Sequence, residues 1–576
     1  MRITQNTPRN YCLIVLVLGF AMWTQAANLD AKLDTLTLRQ KVGQLHMIGA
    51  IGEGPTPENK DLIDDWGLGG FFFQVGNNYA DPTGCAENVN ALQRAALESE
   101  AGIPLLIAMD QEGGVGSQLH YSQGATPTPG NLALGASGRE EDAYAAYFAM
   151  GTDMRACGVT VNFAPAIDVA YNPNNPDYPV RLFSGDIDIN AVMARGAVRG
   201  MQDAGAIACA KHWPGLAYYG ADTHFSAPHI KKTDAELRQG NLKHFRAAID
   251  AGTDMIMTHM VYLDAWDPHN IATVSPIVIG QILRKELGYG GLVVTDSMSM
   301  GSIADAMDIG EASVQCILAG CDIVLQVSRS VKDLEKRMNA VLSAAKEGRI
   351  AEKRIDQSVR RILKAKQKYG LFDNPFADLD KLQQNLGRAD NVQANQRAAA
   401  NGVVLVRDED HLLPLPKTGK KILVVSPPSV IQRAGKPEGW DVPIGTTLGE
   451  IVQQIVPDAL VTEVNTMPTF DEQDTIVRQA ADADIIIGYA LLARFASTQY
   501  GLINRLLALG KPTVIIGMGD PGDMEFFPEV RAFVAANSPA PICVEAAVNV
   551  IFGDVQPGGK LPMPIGNLYP IGYALE

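Results

Sequence analysis

From Leu36 to about Gly370 the chain alternates short, almost continuously apolar runs with longer stretches that have apolar residues at helical spacing. Runs without alternating polar residues are typical of strands buried on both faces of a parallel sheet. The runs are Leu45–Ile48, Gly70–Gln74, Leu105–Asp110, Val161–Pro165, Ile207–Trp213, Met255–His259, Leu292–Asp296 and Ile323–Val327. Eight strands joined by helices predict an α/β fold with an N-terminal (β/α)8 TIM-type barrel.

A second series of apolar runs separated by helical segments follows in the C-terminal part of the chain. These runs are Val403–Val406, Ile422–Val425, Leu460–Val464, Ile485–Ile487, Thr513–Ile516 and Phe533–Ala536. They predict a doubly wound αβα sandwich without a glycine-rich nucleotide-binding motif. We therefore expect a barrel domain over residues 27–370, a linker over 371–395 and a sandwich domain over 396–576.

Residues 1–26 have the pattern of a secretory signal peptide. The first ten residues contain two arginines and no acid, residues 11–23 are apolar, and Thr24-Gln25-Ala26 provides small residues near a cleavage point. This order predicts an exported protein, periplasmic or secreted, that has no membrane contact after cleavage. The alternative is an uncleaved membrane anchor.

The composition narrows the choice of partner. The chain has 576 residues, 47% of them hydrophobic, and 64 acidic against 48 basic side chains, for a formal charge of −16. An acidic surface repels phosphate backbones and anionic lipids, so we expect neither nucleic acid nor a membrane surface as a partner. A neutral substrate fits the charge better. The cysteines include no C-x-x-C pair, so a thiolate zinc site is not expected.

Polar residues stand at the carboxyl ends of several predicted strands, where an α/β barrel has its active site. They are Asp110, Lys211-His212, His259 and Asp296. Asp296 directly after a buried strand is either a nucleophile or electrostatic stabiliser, or the N-cap of the next helix, and its position leaves both open. Asp110 suits sugar hydroxyls, because carboxylate oxygens accept their hydrogen bonds, with Glu112 as a structural partner.

Asp222 and His224 form a second candidate, two residues apart on a loop after the fifth strand. In an extended segment their side chains share a face, and a carboxylate beside an imidazole fixes its tautomer and raises its pKa. Such a pair serves a proton shuttle. A structural hydrogen bond, or two ligands of a metal ion, would have the same spacing.

With these residues in view, the chain resembles family 3 glycoside hydrolases, specifically their β-N-acetylglucosaminidase branch. The resemblance covers nearly the whole chain after residue 26, and its most specific element is the Lys-His … Asp-Thr-His combination. The matching strings are residues 107–114 (IAMDQEGG), 162–168 (NFAPAID), 180–184 (VRLFS), 211–215 (KHWPG), 222–224 (DTH), 257–259 (MTH), 287–300 (ending in TDSMSM), 402–415 and 559–562 (GKLP).

The resemblance implies a role for each candidate. Asp296 would be the nucleophile, His224 the acid/base and Asp222 its dyad partner, and the first subsite would bind sugar through Asp110, Arg181, Lys211 and His212. It implies no organic cofactor and no metal. The expected activity is exo-acting, retaining hydrolysis that releases terminal N-acetylglucosamine from chitin- or peptidoglycan-derived oligosaccharides.

Two alternatives remain. Because an imidazole replaces the second carboxyl group expected of a glycosidase, phosphate as an acceptor is less repelled, and the protein could be a glycoside phosphorylase. It could also be a non-catalytic sugar-binding protein of the same fold. Two departures from the branch bear on this: residues 216–218 (LAY), followed by Tyr219, stand where the branch often has His-Gly-Asp, and Val115 stands where it commonly has an arginine. Both concern the leaving-group side and the shape of the loop.

Overall fold

A computed structural model describes residues 29–169, 172, 180–215, 226–431 and 442–575. Three predictions lie outside these residues: the signal peptide over 1–26, the Asp222–His224 pair and the 216–219 segment. In the part that is described, no helix combines the length and the apolar character needed to cross a membrane.

The N-terminal part is the predicted barrel. Its strands are β1 His46–Gly49, β2 Gly70–Phe72, β3 Leu106–Met109, β4 Val161–Asn162, β5 Ile207–Trp213, β6 Met255–Thr258, β7 Leu292–Val294 and β8 Val324–Gln326. All neighbouring strands are parallel, in the order β7-β6-β5-β4-β3-β2-β1-β8. A parallel bridge between Val294 and Ile323 joins the two ends of the sheet. The barrel prediction is confirmed, and every strand overlaps one of the predicted apolar runs.

Helices surround the barrel, and two of them begin with an N-cap residue followed by proline. Thr56 and Asp81 each cap a helix whose first residue is proline, which lacks the N–H that a first turn leaves unpaired. The helical segments in this part of the chain include residues 29–35, Leu38–Gln44, Pro57–Trp66, Pro82–Glu98, Tyr121–Gln123, Asn131–Ser137, Glu140–Ala156, Ile187–Asp203, Asp234–Glu236, Leu237–Asn241, Leu242–Asp250, Ala272–Val274, Pro276–Glu286, Gly301–Ala304, Ile309–Ala319, Val331–Lys346, Glu352–Lys368 and Leu382–Asn385. A small separate sheet is formed by His229–Ile230, Tyr262–Leu263 and Asp267–Ile271.

The C-terminal part is the predicted sandwich. Its strands are β9 Val404–Asp408, β10 Ile422–Ser426, β11 Leu460–Glu463, β12 Ile485–Ala490, β13 Thr513–Gly517 and β14 Ala532–Ala535. They lie in the order β9-β14-β13-β12-β10-β11, with β9 antiparallel and the others parallel. The helical segments are Ala389–Asn401, Leu448–Ile455, Phe470–Ala481, Ala493–Phe495, Ser497–Leu507, Pro521–Phe526 and Pro541–Ile551. Val430–Ile431 pairs with Val442–Pro443 beside the sheet.

The two domains meet at loops that lead into the barrel mouth. Ser184 Oγ and the backbone N–H of Gly185 both donate to the carbonyl of Pro562, at 2.6 and 3.0 Å. Val115 packs against the apolar core of the second domain, and Ala133 is part of that core. The segments that follow β3 and β4 therefore rest on the C-terminal domain.

Candidate active site

A pocket of about 360 Å³ opens at the carboxyl ends of the barrel strands. It brings together five of the seven predicted site residues, while Asp222 and His224 lie outside the described part of the chain. The lining residues are Phe72, Gln74, Asp110, Phe163, Arg181, Lys211, His212, Met257, Asp296, Ser297, Ser299, Met300, Gly301, Leu325 and Val327. The volume is within the range typical of small-molecule sites.

One wall of the pocket is a network of two cations and two carboxylates. Lys211 Nζ lies 2.8 Å from Asp110 Oδ1 and 2.6 Å from Glu112 Oε1. Arg181 donates through Nε and Nη2 to the two oxygens of Glu112, at 2.7 Å each. This planar two-bond pairing fixes direction as well as distance. Glu112 thus holds both cations in place.

The network also sets the protonation states of its members. Burial alone would raise the pKa of Glu112, but the charges of Arg181 and Lys211 outweigh it and hold that pKa well below its ordinary value. Burial opposes the charge on Lys211, yet the neighbouring Asp110 and Glu112 carboxylates raise the pKa of Lys211. Both groups are therefore charged at neutral pH, and the wall offers fixed donors and acceptors to a polar ligand.

The carboxylate of Asp168 holds His212 in place. Its ring Nδ1 lies 2.7 Å from Asp168 Oδ2, and its backbone N–H donates to the same oxygen at 3.1 Å. The ring of His259 stacks on it, with centroids 5.0 Å apart. Burial lowers the pKa of His212 to about 3, so its imidazole is neutral in ordinary buffers. The string 162–168 contains Asp168, but sequence spacing gives no sign of which group it contacts.

Asp296 stands two residues beyond the end of β7, half-buried in the pocket. Its Oδ1 accepts a hydrogen bond of 2.7 Å from the backbone N–H of Ser297. The helix that follows begins at Gly301 and has Met300 in the cap position. Asp296 is therefore not a helix N-cap, which removes one of the two interpretations of its position.

The loop of Asp296 is tied to the loop after β8. Ser297 Oγ accepts from the backbone N–H of Val327 at 3.2 Å, and Ser299 Oγ accepts from that of Ser328 at 3.3 Å. These serines line the pocket, as does Gln74 at the end of the second predicted run. None of these three residues could be singled out from the sequence, because an isolated serine or glutamine near a strand end forms no recognisable motif.

Comparison with known proteins agrees with this architecture. Residues 37–365 match the model of the glycosyl hydrolase family 3 N-terminal domain, and residues 403–568 match that of the family's C-terminal domain. The structure of a family 3 β-N-acetylglucosaminidase from Paenibacillus sp. superposes with a TM-score of 0.84 at 34% identity, over 92% of this chain and 99% of that one.

Two curated relatives point the same way. β-Hexosaminidase A of Pseudoalteromonas piscicida is 30% identical over 391 residues, which are 64% of each chain and so less than two thirds of that relative. A β-N-acetylglucosaminidase/β-glucosidase of Cellulomonas fimi is 27% identical over 81% of this chain and 85% of its own length. The resemblance inferred from the motifs is confirmed: the chain belongs to the glycoside hydrolases of family 3, in the branch of the β-N-acetylglucosaminidases.

Proposed function

We propose that the protein is an exported, exo-acting, retaining β-N-acetylglucosaminidase that releases terminal N-acetylglucosamine from chitin- or peptidoglycan-derived oligosaccharides. One observation carries the proposal: Asp296 shares a single pocket with Asp110, Arg181, Lys211 and His212 at the carboxyl end of the barrel. A carboxylate able to attack an anomeric carbon thus stands beside groups able to hold a sugar ring. The modest pocket volume supports removal of one terminal residue at a time.

In the first step the Asp296 carboxylate attacks the anomeric carbon. The bond from that carbon to the leaving oxygen breaks, and His224 gives its proton to that oxygen. In the second step His224 takes a proton from water, and the water oxygen replaces Asp296 on the anomeric carbon. Two inversions leave the sugar in the β configuration. The role of Asp222, to orient and charge His224, rests on the sequence motif.

The network of Asp110, Glu112, Arg181 and Lys211, here called the charged wall, supports a role in binding the sugar before any bond is broken. Asp110 is positioned by Lys211, and Arg181 by Glu112, so hydroxyl groups of the sugar meet partners already held in place. Preorganised partners lose little conformational freedom on binding, which favours affinity. We expect these groups to bind substrate and transition state alike, and so to act mainly on KM.

The test of the activity compares two p-nitrophenyl β-glycosides that differ only in the 2-acetamido group. We expect cleavage of the N-acetylglucosaminide at a kcat/KM well above that of the glucoside. The same assay in phosphate buffer distinguishes free sugar from sugar 1-phosphate, and sugar 1-phosphate as the main product would establish the phosphorylase instead. Binding without turnover of either glycoside would favour the non-catalytic protein.

The nucleophile is tested by trapping. A 5-fluoro N-acetylglucosaminyl fluoride should leave a sugar ester on Asp296, found by mass spectrometry in the peptide that contains Thr295-Asp296-Ser297. If the 2-acetamido group attacked its own anomeric carbon instead, no ester would form. Asp296→Ala should lose nearly all turnover and still bind N-acetylglucosamine, because the charged wall is unchanged. A label on a different carboxylate would refute the assignment.

A further inference from the structure

A second pocket, of about 450 Å³, lies in the C-terminal domain. It opens at the amino ends of β13 and β14, which begin at Thr513 and Ala532. The opposite end of β14 leads to Ser538, whose Oγ lies close to Gly114 and Gly130 in the loops of the barrel. Among the residues that the structure describes, this pocket and the candidate active site share no lining residue. The second pocket is therefore a separate site on the far side of the sandwich.

One wall of the second pocket continues into a pair of aromatic rings. Asn504, Leu507 and Ala508 line the pocket from the last turns of one helix. Tyr500 precedes Asn504 by four residues and so lies on the same helix face. The Tyr500 ring stacks on Phe526 with centroids 5.3 Å apart, and Asn504 Nδ2 donates to the Phe526 carbonyl at 3.0 Å. Phe526 is 38% exposed. Tyr500, Phe526 and the pocket thus form one continuous surface, here called the distal groove.

The charged residues of the pocket balance one another. Two carboxylates, Asp410 and Glu529, stand against two cations, Lys511 and Arg531. Arg531 pairs with Asp410, and Lys511 Nζ donates to two backbone carbonyls at 2.9 and 2.8 Å. An ammonium group has three N–H bonds, and a carboxylate accepts several hydrogen bonds. The pocket therefore offers donors and acceptors to hydroxyl and amide groups without an excess of either charge.

A neutral oligosaccharide fits this combination. The face of an aromatic ring is electron-rich and attracts the C–H groups on the flat side of a sugar ring, while hydroxyl and acetamido groups at the sugar's edge take hydrogen bonds. Ligand sites commonly combine aromatic walls with a few polar groups in this way. From Tyr500 to Ala508 the helix face is about 12 Å long, which is more than one sugar ring covers. The distal groove is therefore suited to a chain.

We propose that the distal groove is a non-catalytic binding site for neutral, β-1,4-linked N-acetylglucosamine chains. The choice of ligand rests on the proposed N-acetylglucosaminidase activity. No bond forms or breaks in the groove. Its contribution is to hold the polymer, which raises the effective concentration of chain ends available to the barrel.

The experiment measures adsorption of the full-length protein to insoluble chitin, with free N-acetylglucosamine present at saturation to occupy the active-site pocket. We expect Phe526→Ala to weaken adsorption about five- to tenfold, because an aromatic side chain at the centre of a contact supplies a large share of its affinity. Glu529→Ala, which removes a hydrogen-bond acceptor, should weaken it about threefold. Adsorption of the wild-type protein should be the same at low salt and in 0.5 M NaCl, because the ligand has no charge to screen.

Phe470→Ala is the matched control. Phe470 is 75% exposed in the same domain and does not line the pocket, so its loss should leave adsorption unchanged. All three variants should cleave p-nitrophenyl N-acetylglucosaminide at the wild-type kcat/KM, since none of the altered residues lines the active-site pocket. Thermal unfolding shows whether each fold is intact, and Glu529→Ala keeps the test open if Phe526→Ala does not fold.

Equal adsorption of the wild type and both groove variants would overturn the inference, as would equal losses in Phe526→Ala and Phe470→Ala. Adsorption that disappears in 0.5 M NaCl, or binding of soluble peptidoglycan strands without binding of chitin, would indicate a charged ligand and refute it as well.

Failure of this inference can be told apart from failure of the proposed activity. Cleavage of the p-nitrophenyl N-acetylglucosaminide by a protein that does not adsorb to chitin would refute the inference alone. Adsorption that depends on Phe526, in a protein that cleaves no N-acetylglucosaminide, would support the distal groove and refute the proposed activity.

Discussion

The carboxylate of Asp168 accepts two hydrogen bonds from His212, one from ring Nδ1 at 2.7 Å and one from the backbone N–H at 3.1 Å. An ionised carboxylate can only accept hydrogen bonds, so beside the Asp168 carboxylate the ring proton of His212 is on Nδ1. Because burial lowers the pKa of the ring to about 3, the imidazole is neutral and its Nε2 is unprotonated. His212 lines the pocket. It therefore meets a sugar as a hydrogen-bond acceptor, and Asp168 is the positioning residue that makes it one.

Asp168→Asn tests this relationship. The amide replaces a charge-assisted hydrogen bond, worth about 1.5–3 kcal/mol, with a neutral one. We expect the inhibition constant of N-acetylglucosamine to rise about tenfold, in line with the lower part of that range. Asp264→Asn is the matched control, since Asp264 accepts from His229 Nδ1 at 2.7 Å in an exposed pair away from the pocket lining. Equal constants for wild type and Asp168→Asn would contradict the assignment.

Glu112→Gln tests the network through stability. The folded-state pKa of Glu112 is depressed, so its contribution is present above its unfolded pKa of about 4.3 and is lost as pH falls below that value. We expect the variant to lose about 3–5 kcal/mol at pH 7, because it leaves the buried Lys211 and the half-buried Arg181 with one carboxylate fewer. Its stability should also fall less steeply below pH 4.3 than that of the wild type.

Urea unfolding between pH 3.5 and 7 measures both effects. Glu140→Gln is the control, since Glu140 pairs with the exposed Arg195 and Arg199, and such pairs contribute at most about 1 kcal/mol. Parallel pH curves for wild type and Glu112→Gln would refute the role of Glu112.

Lys366 is a buried charge that lowers stability, whereas the charge of Glu112 contributes to stability. Lys366 is fully buried, its Nζ donates to Gln44 Oε1 at 2.8 Å, and burial lowers its pKa to about 7. The unfolded chain keeps this proton up to about pH 10.4, so the lysine costs most stability below pH 7, and the cost falls as pH rises. Relative to wild type, Lys366→Met should melt at a higher temperature at pH 6, with a smaller advantage at pH 9.5. An advantage that grows with pH would contradict this linkage.

The proposed roles of Asp222 and His224 predict how the hydrolysis rate depends on the acidity of the leaving group. Asp222→Asn should lower turnover about 10²–10⁴-fold, the usual contribution of general acid–base catalysis. His224→Ala should reduce hydrolysis of alkyl and disaccharide substrates more than that of p-nitrophenyl or dinitrophenyl glycosides, because acidic phenols depart without a proton. Steady-state rates on this series measure the difference. Equal losses across the series would count against His224 as the acid.

The architecture could be predicted from the order of residues because a buried segment is apolar at each position that faces away from water. Strands covered on both faces must be apolar along their length, so the runs at Ile207–Trp213 and Leu292–Asp296 marked barrel strands. Polar residues that end such runs lie at the barrel mouth, which placed Asp110, Lys211 and Asp296 in one pocket. The structure shortens some strands, since a residue that turns into the mouth leaves the ladder.

The buried segments, and the polar side chains that follow them at the barrel mouth, could be identified from the order of residues. Their hydrogen-bond partners could not, because Glu112 and Arg181 are 69 residues apart and Asp168 and His212 are 44 residues apart. The spacing of apolar residues along the chain indicates which residues are buried. A hydrogen bond depends on the direction and separation of two atoms to within a few tenths of an ångström, and only the closed barrel brings them there.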